Sequence, residues 1–287
     1  MRSVIPVLTI IFILIVVWYG SAVALNAAWA YDKAKRANIE LSLRDMVADT
    51  WSQEKPKLPA PHQVGAEIWK TTVLKKVTSK RSLVHHGLIT LSSTLLGFMI
   101  GTTLGILLAV GIVHNRAMDM SVMPWAIASQ TIPILAIAPM IIVVLNAVGI
   151  SGLLPKAFIS AYLSFFPVVV SMVKGLRSPD QMQLDLMRTY NASKAAILWK
   201  LRAPSSMPYF FVSLKIAMAA SLVGAIVGEL PTGAVAGLGA RLLAGSYYGQ
   251  TIQIWSALIS AATLAAVLVY LIGVMQKIIL NRMGLQR

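Results

Sequence analysis

The chain contains no cysteine. Disulfides, thiolate metal sites and cysteine nucleophiles are thereby excluded, and the redox state of its compartment leaves no mark on it. Acids are scarce: ten Asp and Glu stand against 25 Lys and Arg in 287 residues, for a formal charge of +15. No His-Glu-x-x-His pair occurs, no two acids share an apolar stretch, and no Gly-x-x-x-x-Gly-Lys-Ser/Thr phosphate loop is present. The first two absences argue against zinc hydrolysis and paired-carboxylate catalysis, and the third assigns any ATP hydrolysis to another chain. The expectation is a protein that is not an enzyme and holds no cofactor and no metal.

What fills the sequence instead is apolar. Hydrophobic residues make up 57% of the chain and charged ones 12%, and mean hydropathy is +0.74, the composition of a membrane protein. A basic excess can mean nucleic acid, but these helix-forming stretches are too apolar for a soluble nucleic-acid domain, so the charge is read as facing lipid headgroups. Six runs have the length a bilayer requires, about 20 residues. They are Val4–Ala30, Leu88–Val113, Ser121–Val148, Ala157–Val173, Tyr209–Val227 and Ile252–Val274. The first follows Arg2. A cleavable leader competes with it, because Ala28-Trp29-Ala30 resembles a small-residue cleavage site.

The division expected is an N-terminal transmembrane helix over 1–30, an extracytoplasmic connector over 31–87, and a five-helix core over 88–280. The connector holds eleven Lys or Arg, six acids, Pro59 and Pro61, and is read as a solvated segment or as a surface helix near Val64–Val77. In the second span Gly97, Gly101 and Gly105 recur one turn apart, a face on which helix backbones can approach closely. The third carries Pro124, Pro133 and Pro139 around Ser129, Gln130 and Thr131. Prolines free backbone groups that a membrane tolerates only against protein or a watery cavity, so Ser129, Gln130, Thr131 and Pro133 are candidates to line a path, with interhelical hydrogen bonding by Gln130 as the plainer reading. Glu229 ends the fifth span, where an acid is costly unless paired or wet. It is a further path candidate, or an interfacial acid that only closes the helix. Leu230–Thr251 is Gly-rich and reads as a re-entrant or surface stretch.

The long polar interruption in the apolar two-thirds of the chain runs over 178–208. Ser178 as N-cap, Pro179 in the first turn, Asp180 and Gln181 predict a helix start there. Met182, Leu186 and Tyr190, with Met187 beside them, form an apolar face opposite Gln181, Asp185, Arg188 and Thr189. Asn191 suits the left-handed closing position, Ser193 can cap a second short helix to Leu201, and Pro204 is expected to stop it.

Here the chain resembles the inner-membrane permeases of bacterial ABC importers. Their cytoplasmic loop reads Glu-Ala-Ala, three residues, Gly, nine residues, Ile, one residue, Leu-Pro. Asp185-Leu186-Met187, Asn191 and Leu201-Arg202-Ala203-Pro204 keep that frame with most letters softened. Phe165-Phe166-Pro167, Gly175-Leu176, Ser213-Leu214-Lys215, Glu229 and Leu58-Pro59-Ala60-Pro61 are similar to the nitrate, sulfonate and taurine branch. The resemblance implies an all-α integral membrane fold of six transmembrane helices, a type I importer permease like that of methionine importers. It implies ATPase coupling through Asp185, Leu186, Met187, Tyr190, Asn191, Ala192, Ser193 and Pro204. The partners it implies are two ATP-binding subunits, a second permease copy, most simply in a homodimer, and an extracytoplasmic substrate-binding protein. The substrate would be a small polar solute of the nitrate, sulfonate or pyrimidine and vitamin-precursor kind. The place would be a bacterial inner membrane, with both termini cytoplasmic.

Topology follows from charge. Six Lys or Arg between Lys174 and Arg202 put that loop inside, which places Tyr31–Gly87 outside despite its own basic residues. The competing class is a self-sufficient secondary carrier or channel, but ion-driven carriers bury ionisable groups deep in several spans and this chain has almost none.

Overall fold

A backbone that leaves water must satisfy its N–H and C=O groups internally, so apolar runs of this length become helices. The computed structural model describes residues 4–230 and 236–285, and among them all regular structure is helical. In chain order the helices are α1 (Val4–Arg36), α2 (Leu43–Ser52), α3 (Pro61–Thr72), α4 (Leu83–His114), α5 (Arg116–Ser129), α6 (Ile134–Ala147), α7 (Leu153–Leu176), α8 (Gln181–Thr189), α9 (Lys194–Ile197), α10 (Ala203–Gly228), α11 (Leu238–Tyr247) and α12 (Thr251–Arg282). Arg2 and Arg287 lie outside the described residues, as do residues 231–235 of the Gly-rich stretch.

Among the described residues, five unbroken stretches are long and apolar enough to cross a bilayer: α1, α4, α7, the continuation of α9 into α10, and α12. The third expected span, Ser121–Val148, is not one helix but the pair α5 and α6, bent by 100° at the break. The cause is local. Pro133 has no N–H to continue the ladder, α5 closes with Gln130 and Thr131 donating to Ile127 and Ala128, and Pro133 starts α6 by accepting from Ala136.

The chain forms two compact units. The first comprises the residues up to Gly87 together with Ala240–Ala261. Its α1 runs past Ala30 to Arg36, because nothing breaks the helix before Asn38, which takes a left-handed φ of 50°. The expected connector is not simply solvated: it folds onto α1 around the fully buried Asn26. The Asn26 amide donates to the Leu58 carbonyl at 2.8 Å, its oxygen accepts from Lys57 N at 2.8 Å, and Gln53 donates to its backbone carbonyl. Trp18 Nε1 donates to the Pro59 carbonyl at 3.0 Å, and its ring packs 5.1 Å from that of Trp255. Lys33 pairs with Asp49 at 2.8 Å and holds that carboxyl below its ordinary range.

The second unit, Leu88–Gly239 with Ala262–Arg287, is a helical core whose centre is made by small residues. A Cβ at Gly97 or Gly101 would collide with Ser160 or Ser164 of α7, and one at Gly105 would lie 2.8 Å from Val168 Cβ. Gly224 of α10 approaches Ser160 in the same manner, where a Cβ would lie 2.7 Å from the Ser160 Cα. Serines cross-link the contact: Ser221 donates to the Thr94 carbonyl at 2.8 Å and Ser160 to the Ser221 carbonyl at 2.8 Å. Larger apolar residues pack in two clusters around this seam, Val169, Val173 and Leu176 in one and Phe211, Leu214, Met218 and Ile272 in the other.

Gly101→Leu is therefore expected to cost at least the ~1–3 kcal/mol of an overpacked site, because the Ser164 side chain and the Ala161 carbonyl already occupy the space. Thermal aggregation of the detergent-solubilised protein, followed by size exclusion, should show a lowered midpoint. An unchanged midpoint would mean that α4 and α7 are not this close.

Candidate functional site

The polar loop over 178–208 folds into α8, a tight turn, α9 and a π-turn (Leu198–Arg202) leading into α10. Its N-cap is Asp180 rather than Ser178: the Asp180 carboxylate accepts from Gln181 N at 3.1 Å, and Gln183 reaches back to Asp180 N at 3.2 Å. Ser178 is drawn off to close the preceding helix, its hydroxyl donating to the Gly175 carbonyl at 2.7 Å. Asn191 does adopt the left-handed conformation, with φ 51°, and Ser193 caps α9 by accepting from Ala196 N at 3.2 Å.

Pro204 does not stop the second helix. The helix widens to a π-turn just before it, with Ala203 N donating to the Leu198 carbonyl, and Pro204 enters α10 in the first turn, where no N–H is required of it. Arg202 caps the neighbouring helix end, donating to the Leu176 carbonyl at 2.9 Å.

The apolar face of α8 is divided. Met187 is half-buried together with Leu184, which pattern reading left unassigned although it lies three residues before Met187 on the same side. Met182, Leu186 and Tyr190 are exposed at 79%, 56% and 77%, and Trp199 on the π-turn at 73%. Asp185 accepts from Arg188 at 3.0 Å and from Gln181 at 3.1 Å, so it stabilises α8 along its polar face. Ala192 is half-buried in the turn and Ser193 exposed. On the same side of the core Arg177 pairs with Asp119 at 2.8 Å, tying the end of α7 to the start of α5.

The second group sits at the α5–α6 break. Ser129 donates to the Ala126 carbonyl and Thr131 to the Ala128 carbonyl, both at 2.7 Å, which satisfies the hydroxyls locally. The Tyr162 hydroxyl donates to the freed Ser129 carbonyl. Gln130, Thr131 and Pro133 are exposed.

Glu229 is elsewhere. It is fully buried at the end of α10. The Thr90 hydroxyl lies 3.0 and 2.9 Å from its two oxygens and donates to the carboxylate, Gly239 N donates at 2.9 Å, and Leu238 N donates to Thr90 Oγ1 at 2.9 Å. Lys156 of α7 holds the same turn through the Ala236 carbonyl at 3.1 Å. Gly237, at φ +130°, leaves the room: a Cβ there would collide with the Glu229 carboxyl. Three helices thus converge on Ala236–Gly239, and no spacing rule announces that Thr90 and Lys156 belong with Glu229.

Comparison with known proteins shows the family of the chain. Residues 101–285 match the family "Binding-protein-dependent transport system inner membrane component", and the chain belongs to that family. It is similar to a probable ABC transporter permease protein of Haemophilus influenzae, 29% identical over 230 residues that cover 80% of this chain and 89% of the relative. It is 33% identical over 183 residues to a formylaminopyrimidine transport permease protein of Halalkalibacterium halodurans, covering 63% and 68%. It is 29% identical over 224 residues to a riboflavin transport system permease protein of Chloroflexus aurantiacus, covering 78% and 80%. The protein is the permease of an ABC importer, a multi-pass inner membrane component that catalyses no reaction itself and works with an ATPase and a binding protein. The self-sufficient carrier is set aside.

Glu229→Ala should strip the acceptor from two buried donors, Thr90 Oγ1 and Gly239 N, at about 1–3 kcal/mol for each group left unsatisfied. Glu229→Gln keeps one acceptor oxygen and should lose less. Limited proteolysis between α10 and α11 reads this directly. Equal resistance in wild type and Glu229→Ala would exclude a clamping role.

Proposed function

We propose that α8 is the coupling helix and that Met182, Leu186 and Tyr190 insert into the ATPase subunit. The observation that carries this is the exposed apolar stripe on a short, doubly capped helix whose other side, Leu184 and Met187, is held by the permease. Water-facing Met, Leu and Tyr in line on a polar loop are the anchors expected at the centre of an interface. Asn191, Ala192 and Ser193 shape the turn behind them, Asp185 braces the helix, and Pro204 marks where the loop enters α10. The permease works as a pair, most simply of identical copies, and ATP-driven closure of two ATPases draws the coupling helices together so that the spans rock between inward-open and outward-open states.

The path is assigned to the α5–α6 break. Ser129, Gln130, Thr131 and Pro133 gather hydroxyls, an amide and freed backbone there without a charge, which suits an uncharged or weakly charged polar solute. With relatives named for formylaminopyrimidine and riboflavin transport, a pyrimidine or vitamin-precursor compound is the favoured substrate over nitrate or a sulfonate. Glu229 serves this path from behind, by fixing the turn after α10.

Two kinds of substitution separate coupling from passage. Leu186→Ala with Tyr190→Ala should release the ATPase during purification, since truncating a buried interface anchor costs about 2 kcal/mol or more, roughly thirtyfold in affinity. Gln130→Leu should retain the ATPase and its basal hydrolysis while uptake falls. A complex that survives the double substitution intact would refute docking through α8.

Orientation rests on the charge of the loop and on its grouping with the Arg177–Asp119 pair at one end of the core. In a chain without cysteine, Ala195→Cys should react with an impermeant thiol reagent only after cells are opened, and Thr78→Cys from outside. Both positions are exposed, unlike the fully buried Ala60. The reverse labelling pattern would invert the topology.

A further inference from the structure

Two lysines stand on the apolar faces of α10 and α12 with no acid to meet them. Lys215 lies twelve residues beyond Ala203, roughly 18 Å along the helix at 1.5 Å per residue. Lys277 precedes the end of α12 by five residues. Neither helix contains an Asp or Glu within its bounds. Among the described residues the ion pairs are Lys33–Asp49, Arg177–Asp119 and Arg188–Asp185, so neither lysine is in one.

Both line an open groove of about 650 Å³ with Tyr270, Gly273, Val274 and Ile278. The floor is set by Gly273: a Cβ there would touch Lys215 Cε at 3.7 Å and Nζ at 3.8 Å, so the missing side chain keeps the ammonium accessible from the groove. The surroundings are those of a lipid-facing wall, with Tyr270 exposed at 70%, Leu271 at 55% and Ile278 at 50%. Leu280 belongs to one apolar cluster with Phe211, against which Met207 also packs, which puts this end of α12 beside the first half of α10, toward the end of the core that carries the loop over 178–208.

We propose that this groove is a binding site for an anionic phospholipid, the phosphate held by Lys215 and Lys277 and an acyl chain laid against Val274, Ile278 and Tyr270. The argument is one of charge and medium. An ammonium this far along a spanning helix is costly unless it is paired or reaches the interface, and lysine does both when its flexible stem extends toward a headgroup phosphate. Basic pockets between transmembrane helices on the cytoplasmic side suit such headgroups. A soluble anion would supply the same charge but would leave the apolar half of the groove uncovered. The inference is independent of which solute is transported.

The test is lipid retention. The permease with its ATPase is purified from detergent micelles doped with equal phosphatidylglycerol and phosphatidylcholine, and retained lipid is quantified by mass spectrometry. Wild type should hold phosphatidylglycerol in excess, with about a fivefold loss for Lys215→Gln or Lys277→Gln alone and about thirtyfold for both. Gly273→Leu, which fills the groove and leaves the charges, should also expel the lipid, and Lys215→Arg with Lys277→Arg should retain it. Lys194→Gln with Lys200→Gln removes the same charge outside the groove and should change nothing. Phosphatidylglycerol retained equally by the double Gln variant and by Gly273→Leu would overturn the site. So would an equal loss in the Lys194 and Lys200 control, because attraction would then be diffuse.

Discussion

The structure depends on how closely α4, α7 and α10 approach one another. In lipid there is no hydrophobic gain from pressing helices together, so their association rests on packing and interhelical hydrogen bonds. Gly97 and Gly101 on one helix and Gly224 on another bring backbone close to α7 at Ser160, Ala161 and Ser164, Gly105 does the same at Phe165 and Val168, and the serines then bond across the seam. A seam of this kind resists deformation, because any slip places a serine where only hydrogen fits. The large residues outside it, Phe211 and Val173 among them, fill the space that the seam defines.

The two ends of this core are built on different principles. At the loop end, charges lie at the surface and act singly: Arg177 with Asp119, Arg188 with Asp185, Arg202 on a helix-terminal carbonyl. Such contacts are individually weak and leave the apolar stripe of α8 exposed. At the other end, one buried carboxylate gathers a hydroxyl and a backbone N–H, and a lysine from α7 grips the same turn. That end is closed by a satisfied polar cluster, which is rigid when complete and costly when any member is lost.

Much of this was legible in the residues. Length and hydropathy located the five unbroken spans, though not the 100° bend in the third expected one, and the glycine spacing of α4 named a face of close approach, because both are one-dimensional patterns. The π-turn before Pro204 was not legible: proline forbids one hydrogen bond, but whether a helix stops or widens depends on whether the far side has a reason to continue, and here α10 does. The cap at Asp180 was missed because Ser178 also has a cap's chemistry, and only the position of Gly175 shows which acceptor wins it. Met187 was grouped with Leu186, yet adjacent residues on a helix point about 100° apart and can take opposite fates. Contacts across 139 residues, such as Thr90 with Glu229, leave no local trace.

Continuity carries the mechanical consequence. The turn at Asn191 is held by a left-handed residue and a serine cap, and α9 passes through the π-turn into α10 without a glycine, although Pro204 and Pro208 each leave out one backbone donor. α10 is in turn locked to α7 by Gly224 and Ser221. On the proposed docking, a load applied at Leu186 and Tyr190 would reach α7 and α10 through this run of helix. The α5–α6 pair attaches to that body differently, through Ala126 at one cluster and Ala138 against Ile159 and Val227 at another, with the bend between them. The hydrogen-bond ladder is interrupted at that bend, where Ser129, Gln130 and Thr131 stand and where Tyr162 of α7 takes up the Ser129 carbonyl.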